Sequence, residues 1–224
     1  MTTGAEVDAF WTGGTGTWNT AGNWTPAVVP NNGAGGNTYH VLIDNSNAAD
    51  SVVTLDVPRT IDRLTISAGD ELVSLNGPDL TFAVGPIVND GLISWVSAGS
   101  TTELAFGASM SISGSGVLFL GNNAQNFIDN IDTAFIPHLT NGTNHTVRGG
   151  GGIFNVTMTN DGLIDADQPT PMTVDLEAGT NTNNGILQAS GSGTLLITGT
   201  VWTNTDGLIQ AVDTSTVNLA TSSI

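Results

Sequence analysis

The side chains best placed to do chemistry are carboxylates. Asp161, Asp165 and Asp167 lie close together, and Asp90 and Asp206 hold the turn position of Asp161. Carboxylates gathered on one face of a β-structure can bind a metal or act as an acid–base pair on a polysaccharide. The repeat works against that reading. Asn184 and Gln188 stand where Asp161 and Asp165 would recur, and Gln210 replaces Asp165 again. No Lys is present, and Arg148 is the one cation near the repeat. An acid, a base and an electrophile that converge cannot be named, so no enzyme is expected. A polysaccharide lyase or hydrolase is the alternative.

Oxygen-rich stretches come next. Asp44-Asn45-Ser46-Asn47 with Asp50, and Asp129-Asn130 with Asp132, have ligands suited to a weak Ca2+ site. Neither has the spacing of the twelve-residue calcium loop or of the calcium-binding nonapeptide roll. Ordinary Asx turns account for both. No other cofactor is expected. His40, His138 and His145 are scattered without carboxylates at ligand spacing and read as structural. Gly149 to Gly152 lacks the ending of a phosphate loop.

Trp11, Trp18 and Trp24 fall within FWTGGTGTWNTAGNWTP. Exposed, they would form a stacking platform for surface glycans; buried, they would plug the open end of a stack. The T-x-T pairs Thr157/Thr159, Thr180/Thr182, Thr198/Thr200 and Thr203/Thr205 raise the question of an ice-binding face. They sit at different phases of the repeat and are expected not to stack into one regular face.

The elements that position these residues are short and repeated. Thr159 to Leu219 writes the same phrase three times: TNDGLIDA, NNGILQA and TDGLIQA. Its glycines, Gly162, Gly185 and Gly207, are 23 and 22 residues apart. Apolar pairs Met172/Val174, Leu195/Ile197 and Val217/Leu219 follow at a fixed distance. A period of this length marks a stacked solenoid. Three short strands and three turns fit one coil, and aliphatics then stack in columns: Leu92, Leu163, Ile186, Leu208, and Ile93, Ile164, Leu187, Ile209. Asn160 and Asn183 are placed to form a ladder at the turn. The glycines are expected to supply a backbone angle that other residues resist.

Composition agrees and sets limits. The chain has 224 residues, 20 Asp and Glu against 3 Arg, and a net charge of −17. Such a surface repels nucleic acid and anionic membrane. Cysteine is absent, and no run of 18 apolar residues could span a bilayer. The first residues lack the features of a signal peptide. Residues 1–40 read as a Trp/Gly-rich cap, and 41–224 as coils with an irregular loop around 122–146. No polar or aromatic closing coil is evident after Val217–Leu219. The stack is therefore expected to be truncated there or covered by another copy.

Thr159 to Leu219 resembles the parallel β-helix segments of filamentous-haemagglutinin-like adhesins and autotransporter passenger regions. The opening FWTGGTGTWNTAGNWTPAVVPNNG, with YHVLID and IDRLTI, is similar to a segment that often precedes such coils in secreted bacterial proteins. The resemblance implies an all-β, right-handed parallel β-helix of about 22–23 residues per coil. It also implies a non-catalytic, extracellular structural or adhesive role at a bacterial cell surface. The expected partners are other copies meeting at coil ends, the remainder of a longer chain, or surface glycans.

Overall fold

The computed structural model describes residues 4–43, 50–131, 134–199 and 201–220. They form an all-β parallel solenoid of about seven turns with almost no helix. Among the described residues, the strands lie in sheets of nine, nine and eight strands. One coil shows the plan. Thr157–Asn160 joins the first sheet, Leu163–Ala166 the second and Met172–Asp175 the third. The next coil repeats it with Thr182–Asn183, Ile186–Ala189 and Thr194–Thr198.

Register follows the sequence repeat. Leu163 pairs with Ile186 and Ile186 with Leu208; Ile164 pairs with Leu187 and Leu187 with Ile209. Leu92 reaches this column through Val117 and Thr146. Successive strand residues point to opposite faces, so the two columns differ in environment. Ile93, Ile164 and Leu187 are fully buried, whereas Leu208 is 47% exposed. The second aliphatic of each phrase builds the core and the first forms an outward ridge.

The turn glycines serve a different purpose from the one expected. Gly162, Gly185 and Gly207 are not among the glycines of positive φ. A Cβ at Gly162 would collide with the carbonyl oxygens of His145 and Gly142, and one at Gly185 with that of Gly162. Coil-to-coil approach of backbones excludes a side chain there.

The irregular region is narrower than 122–146. Asn126–Asn130 and His138–Asn141 are regular strands that pair with coils on both sides. Beside them Ile131 and Phe135 are 55% and 47% exposed. Alternating burial carries the stack through, with Asn126 and Ile128 inward in NFIDN and Leu139 and Asn141 inward in HLTN.

At the N-terminal end each sheet edge is occupied. Trp24–Thr25 pairs antiparallel with Glu6–Trp11 at the edge of the first sheet. Thr15–Thr17 ends the second sheet. Arg59–Ile61 ends the third, where Asn32 N–H donates to Thr60 O at 2.7 Å and Thr60 N–H to Asn31 Oδ1 at 3.0 Å. Strand edges need such cover to resist unwanted pairing. Towards the other end Trp202 is 2% exposed, so an aromatic side chain packs into the core before the strand Thr216–Leu219. Its neighbours are less covered: Leu219 is half exposed.

Candidate functional site

The tryptophans do not form a platform. Trp11, Trp18 and Trp24 are at most 3% exposed. Trp24 makes edge contacts with Trp11 and Trp18, each with centroids 4.9 Å apart. Their indole N–H groups are consumed internally: Trp11 donates to Gly14 O, Trp18 to Pro30 O and Trp24 to Trp18 O. A sugar ring has no free indole face to stack on.

The oxygen-rich stretches are only partly visible. Asp44 and Asp132 lie outside the described residues. Asp50 is exposed. Asp129 Oδ1 accepts from its neighbour Asn130 N–H at 2.6 Å and from Asn155 Nδ2, one coil on, at 2.7 Å. Among the described residues no group of three or more His, Asp or Glu is arranged to hold a metal ion.

Asp161, Asp165 and Asp167 do not converge. Asp161 accepts from Asn184 Nδ2 at 2.8 Å, and Asp167 from Arg148 Nη1 at 2.7 Å. Asp165 is 8% exposed and accepts from Gln188 Nε2 at 2.8 Å and Ser190 Oγ at 2.9 Å. Gln210 Nε2 in turn donates to Gln188 Oε1 at 2.9 Å. The glutamines that replace Asp165 in later coils are thus its ladder partners. Arg148 completes the column, its guanidinium 4.7 Å from the centre of the Phe119 ring.

A carboxylate pair that sequence reasoning missed lies on the third sheet. Asp79 and Glu103 stand one coil apart, with Glu103 N–H donating to Asp79 Oδ1 at 2.8 Å. Partial burial raises the pKa of each carboxyl; at Glu103 the negative charges of Asp79 and Asp129 add to the effect. The available signal was a separation of 24 residues, near one period. Adjacent carboxyls that resist ionising together are the raw material of acid–base chemistry.

A chain of amides runs along the corner after the first sheet. Asn141 Nδ2 donates to Asn160 Oδ1 at 2.8 Å, Asn160 Nδ2 to Asn183 Oδ1 at 2.8 Å, and Asn183 Nδ2 to Asn204 Oδ1 at 2.6 Å. Asn141, Asn160 and Asn183 are buried. The repeat predicts this ladder, but His145 is its unpredicted member. Fully buried, it joins Asn141 Oδ1 at 2.8 Å through Nδ1 and Asn89 Nδ2 at 3.1 Å through Nε2. Desolvation lowers its pKa to about 4.

The threonines stack more than expected. Ser111, Thr140, Thr159, Thr182 and Thr203 stand in register on the first sheet. Thr198 lies in the third sheet, and His138 bonds both Thr157 and Thr159 hydroxyls. One hydroxyl column forms, and an imidazole lies across it.

No helix among the described residues is long and apolar enough to cross a membrane. No family model, curated protein or solved structure matches the chain.

Proposed function

We propose that this chain is a non-catalytic structural or adhesive β-solenoid, an extracellular segment of a bacterial surface adhesin or self-assembling fibre. The observation that carries the reading is the amide chain from Asn141 to Asn204, which spends the repeated polar side chains on holding coil to coil. A scaffold needs that economy; a displayed site needs polar groups left free.

Assembly would proceed at the last described strand of the third sheet, Thr216–Leu219. Thr216 N–H and Ala220 N–H donate to Gly193 O and Ile197 O of the coil before. By alternation, the Leu219 N–H points away from the preceding coil, where another coil would add by strand pairing. Electron microscopy and size exclusion over a range of concentrations test this. Filaments or multimers that Leu219→Pro abolishes are expected; particles that stay monomeric at every concentration overturn self-assembly.

A second reading, binding or degradation of a polysaccharide, draws on the Asp79–Glu103 pair. Release of reducing ends from acidic or neutral glycans, lost in Asp79→Asn, would favour it over the structural reading. A silent glycan array and no release count against it.

A further inference from the structure

The amide column stops at Asn141: Ile112 pairs with Asn141 on one side and Ile87 on the other, and Asn89 lies two residues past Ile87. His145 links the two asparagines, reaching from the turn after Asn141 to Asn89 on the strand Ile87–Asn89. Asn141 Nδ2 is committed to Asn160, so its Oδ1 faces the imidazole and can only accept. The proton therefore sits on His145 Nδ1, and Nε2 accepts from Asn89 Nδ2.

We propose that His145 is an acid-sensitive latch in this ladder: a second proton on the imidazole breaks its bond to Asn89 and parts the stack locally. The protonated ring would point Nε2–H at the Asn89 NH2 group, donor against donor. Asn89 cannot repair this by turning over. Its Oδ1 accepts Gly91 N–H at 3.2 Å and its Nδ2 donates to Val117 O at 3.0 Å. Reversal would oppose both pairs to restore one.

Among the described residues, the carboxylates around this corner are held by other partners and do not compensate the new charge. Asp90, in the turn after Asn89, accepts from Ser115 N–H and Oγ. Asp161, in the turn after Asn160, accepts from Asn184. Asp70, in the turn before Glu71–Leu75, accepts from Ser51 N–H. Arg148, on the strand after His145, is bonded to Asp167. The turns Gly114–Gly116 and Gly142–Asn144 carry no ionisable group. A groove lined by Gly69, Asp70, Asp90, Gly91, Ser115 and Gly116 lies over this corner, next to both backbone partners of Asn89, and brings solvent there.

The test is hydrogen exchange of the full chain, read segment by segment from about pH 7 to about pH 3.5, for wild type and His145→Gln. Glutamine keeps a donor and an acceptor but does not titrate. After correction for intrinsic rates, wild-type exchange should rise at least about tenfold around 87–91, 112–117 and 141–147 relative to the coils around 186–198. In His145→Gln the excess should fall below about twofold. An equal rise in both proteins overturns the latch. Should the variant fail to fold, NMR titration of the wild-type imidazole decides. An Nδ1–H tautomer that protonates near pH 4 together with loss of the Asn89 amide bond supports the proposal. A ring that titrates in the ordinary histidine range, or one whose protonation leaves the Asn89 side-chain resonances unmoved, overturns it.

Discussion

His145 and Asn89 are joined at 3.1 Å although 56 residues separate them and an intervening coil supplies no amide. The bond ties the amide ladder, which passes from coil to coil between Asn141 and Asn204, to an asparagine outside its register column. A titratable ring thereby becomes part of the buried interior, with a consequence for stability.

The sign follows from the shift. The imidazole pKa is lowered from 6.5 to about 4 in the folded chain, so the unfolded chain binds the proton more readily. Stability should be unaffected by this group above the ordinary value, fall as pH drops through the window between the two, and level off below. The full loss is about 3 kcal/mol. Denaturant midpoints against pH, compared with His145→Gln, isolate the contribution.

Breaking the ladder elsewhere should be costly at any pH. Asn160→Ala leaves Asn141 Nδ2 and Asn183 Oδ1 without their side-chain partner inside the stack. A loss of about 2–3 kcal/mol in urea unfolding is expected. Asn184→Ala, on an exposed partner of Asp161, should cost under about 0.5 kcal/mol.

Gly185→Ala tests the close approach of coils. The new methyl would meet Gly162 O and the Asp161 carbonyl, both backbone atoms that cannot swing aside. A destabilisation of about 3 kcal/mol, or failure to fold, is expected. Gly22→Ala, where nothing lies within 4 Å, should be near neutral. Thermal melts of the two variants make the comparison.

Glu103→Gln should stabilise the protein at neutral pH by about 0.5 kcal/mol, the scale of like charges facing across strands at a half-open surface. Because the folded carboxyl has a raised pKa, the wild type regains this stability as pH falls and Glu103 protonates. The two proteins should converge in acid, which paired melts at neutral and acidic pH will show.

Trp24→Ala should release the N-terminal closure. Trp24 is 1% exposed, contacts both other cap indoles and pairs with Trp11 at the sheet edge. A loss of about 3–5 kcal/mol is expected, with early proteolysis confined to the first residues.

Much of the architecture was legible. Gly162, Gly185 and Gly207 gave the period, and Ile164, Leu187 and Ile209 gave a column that the register confirms. Asn160 and Asn183 announced the ladder, because identical polar residues one coil apart must face each other in a parallel stack. The role of the glycines was misread, since a turn angle and a backbone collision leave the same residue in the sequence. The tryptophans also had two readings, and composition does not reveal which faces of an indole are covered.

The sequence by itself determined that this protein is a stack of coils, because a repeated phrase of turn and alternation leaves little else to form. It also determined the acidic surface and the amide ladder. Only the tertiary structure decided which irregular residues complete that repeat. His145 has no periodic signal, and its place depends on a coil that supplies no amide, a turn in another and an amide donor two coils away. Asp79 and Glu103 became a pair, and Asp161, Asp165 and Asp167 ceased to be a group, for the same reason. In a solenoid, neighbours in space are set by coil register, and residues adjacent in sequence are directed to different faces and partners.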